Sequence, residues 1–185
     1  MHGPALAGWL LVALCAATGA YCLLRMRSSV AEQRSAAGGE ALMGFGMAVM
    51  AVPAAVFGPP RWAWIGYALV FGAAAVRALW SARSSPHHLH HLVGTLAMVY
   101  MAVAMVTVPG GHAGHTATAG SPLLTGVLLL YYAAYVLWSG LRLIPVPAQA
   151  ATTGGATLTW GDRAELALAC RLSMGIGMFA MLLTM

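Results

Sequence analysis

Apolar residues fall along the chain in six long blocks, not in the every-second or every-third pattern of a half-buried strand or amphipathic helix. The blocks run approximately over Ala5–Leu24, Ala41–Phe57, Trp62–Trp80, His87–Val108, Leu123–Leu143 and Ala164–Met185. A helix crosses the hydrocarbon core with about 20 predominantly apolar residues, and about 17 suffice. Each block therefore predicts one transmembrane helix. The second is the shortest and carries Pro53 near its end, which predicts a bent or frayed last turn. The expected fold is an all-α membrane protein of six transmembrane helices in one domain over residues 1–185.

Positive charge orients these helices. The first block has no basic segment ahead of it, and its apolar run is longer than the roughly 7–15 residues of a signal peptide. Arg25, Arg27 and Arg34 follow it directly, as expected of a retained span whose N-terminus lies outside. Counting spans from there, Arg77, Arg83, Arg142, Arg163 and Arg171 join them on the inner side, and only Arg61 falls outside. Both termini are expected on the exterior. The connections, residues 26–39, 81–86 and 144–161 inside and 58–60 and 109–122 outside, are too short to hold a soluble domain.

Composition narrows the function classes. Of 185 residues, 61% are hydrophobic and only 7% charged, and the mean hydropathy is +0.80. Soluble domains carry roughly 25% charged residues, so a soluble globular domain is excluded, and disorder with it. The net charge of +5 sits at span ends, so the expected partner is the lipid bilayer and not nucleic acid. There is no phosphate-cradling glycine loop, so no nucleotide is expected. The three cysteines, Cys15, Cys22 and Cys170, lie in or beside apolar runs and do not form a disulfide framework.

Three blocks repeat one motif. Glu40, Met43, Gly44, Gly46, Met47 and Met50 open the second. His91, Gly94, Ala97, Met98 and Met101, with Met105 further along, lie in the fourth; Arg171, Met174, Gly175, Gly177, Met178 and Met181 lie in the sixth. Methionine follows the polar head at +7 and +10 in every copy. On a helix, offsets of 0, 3, 7 and 10 fall within about 80° of arc and rise about 15 Å. Each copy is one stripe, a polar head with methionines stacked above it, and nine of the 12 methionines belong to these stripes. Leu79-Trp80-Ser81 and Leu137-Trp138-Ser139 give the third and fifth blocks a weaker likeness. Three related hairpins, with the motif on each return helix, are the simplest account.

Thioether sulfur is a neutral, soft ligand suited to Cu(I), and imidazole serves several transition metals. A neutral methionine column can admit a soft monovalent cation to lipid without burying carboxylates. Ser85 and Pro86 suit the cap and first position of a helix whose first turns hold His87, His88, His90 and His91. His87 and His91, four apart, share the methionine face; Glu40 and Met43 are further candidate ligands, and the outer His112 and His115 form a capture pair. The competing reading is structural: methionine is a flexible gap-filler, glycine and alanine admit close helix contact, and Glu40 and Arg171 pair with each other across the inner ends of two helices. Cys15 and Cys22 read as packing residues. No carboxylate pair or metalloprotease motif supports catalysis, so no enzyme is expected.

The stripes, above all Glu40–Met50 and Arg171–Met181, resemble those of the actinobacterial membrane family known as domain of unknown function 5134, with its repeated His-x-x-Met-x-x-x-Met-x-x-Met. The resemblance spans roughly Leu6 to Met185 and implies a multi-pass protein of the bacterial inner membrane. It implies no reaction. Only His91 keeps the histidine head, while Glu40 and Arg171 stand at the other two. The expected function is to bind or move Cu(I) through these His and Met residues. The alternative is a non-catalytic accessory or assembly subunit, in contact with other membrane subunits, whose Met/Gly stripes are packing surfaces.

Overall fold

The computed structural model describes residues 3–27, 31–53, 56, 58–82, 88–107, 120–143 and 164–184. They form six helices: α1 (Gly3–Arg25), α2 (Ala31–Met50), α3 (Arg61–Ala82), α4 (His88–Thr107), α5 (Pro122–Leu143) and α6 (Ala164–Leu183). All but α2 contain a stretch long and apolar enough to cross a membrane, and α2 contributes the shorter apolar segment Ala36–Met50. The chain is a multi-pass membrane protein whose exposed apolar helices suit lipid. In lipid every backbone polar group must be paired within the protein, which helices achieve alone. Thr18, Thr95 and Ser173 likewise pair their hydroxyls locally, each donating to the carbonyl one turn back, that of Leu14, His91 and Ala169.

Five helices match the expected blocks to within a few residues, and α2 does not. It begins at Ala31, well before the apolar block, and stops at Met50 instead of running to Phe57. It ends early because Pro53 lacks an N–H and disfavours helix in the residue before it; the last backbone bonds are Ala51 N–H to Met47 and Val52 N–H to Val49. It begins early because Glu40 does not mark the water boundary but lies wholly buried within the bundle. At the start of α5, Ser121 accepts the Thr125 N–H and Pro122 takes the first helical position.

Each odd-numbered helix packs most extensively on the even-numbered one that follows, and α2 also touches α4 and α6. The core therefore gathers around α2, α4 and α6. Among the described residues α3 buries only Phe71 and Ala75, and α5 only Tyr132 and Ser139. Leu69, Val76, Leu130 and Leu137 are exposed on these outer helices. Trp62 and Trp80, 74% and 72% exposed at the two ends of α3, are about 27 Å apart along the helix. That matches the spacing of interfacial tryptophan belts.

Antiparallel pairing of α1 with α2 sets the depth of Glu40. A Cβ on Gly8 would lie 3.2 Å from Pro53, and at the other end Cys22 Sγ is 3.7 Å from Glu40 Oε2. Between them the backbones cross at Gly19 and Gly44, where a Cβ on Gly44 would lie 2.8 Å from Gly19 Cα and 2.9 Å from its nitrogen. Backbone cannot yield as a side-chain tip can. Gly44→Ala is expected to cost about 1–3 kcal/mol by overpacking, read as unfolding in detergent by tryptophan fluorescence. Gly39→Ala, one turn earlier with nothing within 4 Å, is expected to be neutral or to stabilise by about 0.5–1 kcal/mol. Equal effects at the two sites would refute the close crossing.

Candidate functional site

The three stripe heads, one from each inner helix, meet at a single point. Arg171 Nε donates to Glu40 Oε1 at 2.8 Å, and His91 Nε2 lies 3.9 Å from the same oxygen, too long for a hydrogen bond. A fourth helix joins them from α1: Arg25 Nη1 donates to Glu40 Oε2 at 2.6 Å. Glu40 is fully buried and Arg25 is 3% exposed, whereas Arg171 reaches the surface. Cys22 Sγ donates to Glu40 Oε2 at 3.7 Å. One carboxylate thus ties α1, α2 and α6 together with α4 beside it. The Glu40–Arg171 pair anticipated as a structural contact is present, and both carboxylate oxygens are taken by guanidinium groups.

Above the heads the three copies occupy equivalent environments. Positions +3, +4, +6 and +7 are buried in every copy and +5 is exposed: Met43, Gly44, Gly46 and Met47 around Phe45; Gly94, Thr95, Ala97 and Met98 around Leu96; Met174, Gly175, Gly177 and Met178 around Ile176. The methionines converge in one cluster holding Met43, Met47, Met98, Met101, Met174, Met178 and Met181, with Met50 packed half-buried against it. Glycines let the sulfurs approach neighbouring helices. A Cβ on Gly94 of α4 would meet Met43 Sδ at 3.0 Å, and one on Gly177 of α6 would lie 3.6 Å from Met47 Sδ. Tyr67 of α3 donates to Met98 Sδ at 3.7 Å.

Met105 departs from the expected inward stripe. It is 43% exposed, because α2 has ended at Met50 and α6 at Leu183, so no inner helix remains to cover it at that height. His87, His112 and His115 lie outside the described residues. Among the described residues, no three His, Cys, Asp or Glu side chains are grouped to enclose a metal ion. Of the expected ligands, the structure brings together Glu40, His91 and the methionine core, and it gives Glu40 to the two arginines.

Several residues of the site were not singled out from sequence. Arg25 reads as a charge flanking the first span, yet it is buried in the cluster. Its signal was available: Cys15, Thr18, Cys22 and Arg25 stand at offsets of 0, 3, 7 and 10, the spacing of the stripes, and all four are buried. His90, one residue before the α4 head, stacks on Tyr135 at 3.8 Å between ring centroids and lies 3.0 Å from Tyr131 Oη through Nδ1. Cys170, the equivalent residue of α6, packs half-buried against the core cluster that holds Cys22.

The chain belongs to the family described as "Domain of unknown function (DUF5134)", whose model matches residues 32–185. The match begins after α1, so Arg25 and Cys22 enter the site from outside the matched segment, which is shorter than the resemblance starting near Leu6 had implied. No curated protein and no solved structure matches the chain.

Removing one partner of a buried ion pair strands the other charge, at a typical cost of about 3–5 kcal/mol, while replacing the whole group with apolar residues is often neutral. Glu40→Gln is therefore expected to be strongly destabilising. In a double-mutant cycle of Arg25→Met and Glu40→Met, measured by thermal unfolding in detergent, the double variant is expected to be more stable than the Glu40→Met single. Additive losses would show that the two residues do not act as a pair.

Proposed function

We propose that the protein is a non-catalytic membrane protein that holds a soft monovalent metal ion, Cu(I), among the thioethers of its core. The observation that carries this reading is the inward turn of all three stripes: Met47, Met98 and Met178 are 0%, 0% and 1% exposed and share one cluster. Neutral sulfur ligands suit Cu(I) and place no uncompensated carboxylate in the membrane interior. The head cluster argues for holding over conduction. Two guanidinium groups against one carboxylate leave net positive charge at that end, which opposes a cation passing beyond the methionines. Glu40 then serves as the carboxylate that closes the bundle, and His112 and His115 serve capture from the connection between α4 and α5.

In this reading the helices form three related hairpins with six crossings, α2 among them, both termini exterior and the heads at the inner face of a bacterial cytoplasmic membrane. The equivalent burial of the three copies and the bias of arginine toward one side support it. The competing reading, an accessory or assembly subunit with Met/Gly packing seams, draws on the tight contacts at Gly44 and Gly94.

Replacing Met47, Met98 and Met178 together with leucine separates the two. Leucine keeps volume and apolarity at a cost usually below about 1.5 kcal/mol per site but removes sulfur. After anaerobic loading with Cu(I), the folded triple variant is expected to hold one copper equivalent fewer per chain than the wild type. Unchanged copper in a folded variant would leave the stripes as packing surfaces.

A further inference from the structure

The head cluster carries more positive charge than its one carboxylate balances. Arg25 and Arg171 bring two positive charges to the single negative charge of Glu40, an excess of one that a protonated His91 would only increase. The two arginines are placed differently. Arg25 is 3% exposed, and its Nε is buried with no hydrogen-bond partner among the described residues. Arg171 gives Nε to Glu40 and makes no other hydrogen bond or ion pair among the described residues. Its terminal nitrogens are therefore free donors on a side chain that is 36% exposed. They stand on Leu166–Leu183, a segment long and apolar enough to cross a membrane, where unmatched charge is costly. The depth follows from α3 and α4: Tyr67 meets Met98, so in the antiparallel pair His91 is level with Ala74, about 9 Å inside the exposed Trp80. Arginine covers much of such a distance by reaching its long stem toward the interface.

We propose that Arg171 holds a monoanionic phosphate group at this end of the bundle, and that a lipid phosphodiester supplies it. The two terminal nitrogens of a guanidinium form a planar fork that matches two phosphate oxygens. One phosphodiester charge brings Arg25, Arg171 and Glu40 to zero. A zwitterionic headgroup carries its own cation to the same place and leaves the surplus standing, so the charge balance selects a headgroup without one, such as that of phosphatidylglycerol. Basic groups set between transmembrane helices near a membrane face recognise anionic headgroups in this way. Arg25 acts through its charge and not by contact, because it is buried. Free phosphate offers the same oxygens from water, but the position of Arg171 within an apolar segment favours a group anchored in lipid. The site does not rest on the copper reading. The phosphate offsets the surplus from the exposed side and leaves the buried Arg25 in place beneath the methionines.

The test uses the full chain, delipidated in detergent and free of added metal, with lipid bound per folded chain by native mass spectrometry and the thermal unfolding midpoint as readouts. The wild type is expected to retain dioleoylphosphatidylglycerol and to unfold at a higher temperature with it. Dioleoylphosphatidylcholine and inorganic phosphate are expected to do neither. Arg171→Gln leaves Glu40 balanced by Arg25 alone and is expected to weaken phosphatidylglycerol binding by about tenfold or more, the loss of a charge-assisted contact. Arg77→Gln, at an exposed arginine of α3, is expected to bind as the wild type does. Equal retention of the two lipids by the wild type overturns the site, and this comparison decides the matter should Arg171→Gln fail to fold. Undiminished binding in folded Arg171→Gln overturns it too, as does an equal loss in Arg77→Gln, which would mark a general basic belt. A midpoint raised by inorganic phosphate in the wild type and not in Arg171→Gln upholds the anion site and assigns it to free phosphate instead of lipid.

Discussion

A carboxylate buried in a membrane bundle is tolerable only when its charge is matched at contact distance, and Glu40 is matched twice. Arg25 takes one oxygen at 2.6 Å and Arg171 the other at 2.8 Å. Ion pairs of this kind add little net stability over an apolar replacement, and their larger effect is on arrangement, because any register that separates the partners strands a charge. Here the partners come from the first helix, the second and the last. The pairing fixes how deep α2 sits against α1, closes α6 onto both, and leaves His91 of α4 alongside. The start of α2 ahead of its apolar block, the burial of Arg25 and the crossing at Gly19 and Gly44 all follow from that depth.

Once the heads are pinned together, the stripes above them have one place to go. Residues at +3, +7 and +10 share a narrow arc, so three helices joined at their heads turn their methionines toward a common axis. The interior that results is polarizable, uncharged and rich in sulfur, and the glycines and alanines interleaved with it bring the backbones close. The same cluster that organises this interior caps it with positive charge. A cation accommodated among the thioethers would be stopped at that end by the surplus charge of the arginines.

The fold was largely legible in sequence because lipid imposes length and apolarity on each helix, and those are one-dimensional properties. The failure at α2 is instructive: hydropathy treats Glu40 as a boundary, since a lone carboxylate belongs in water, and only its two distant partners reverse that. The stripes were legible because spacing alone places Met43, Met47, Met98 and Met178 on single faces. Their convergence was not, because which face turns inward depends on neighbours that sequence does not name. Arg25 and Cys22 carried the stripe spacing on α1 but were hidden by their side chains, which suit an ordinary flanking charge and an ordinary packing residue. Met105 has the correct spacing and fails for lack of covering helices, a fact set by where α2 and α6 end.

The most direct measurement is the X-ray absorption spectrum of copper in the wild-type protein loaded with Cu(I) under reducing conditions. The account predicts a first coordination shell of sulfur alone, from thioethers of the core. A shell containing nitrogen or oxygen, from His91 or Glu40, or a folded protein that retains no copper, would contradict it.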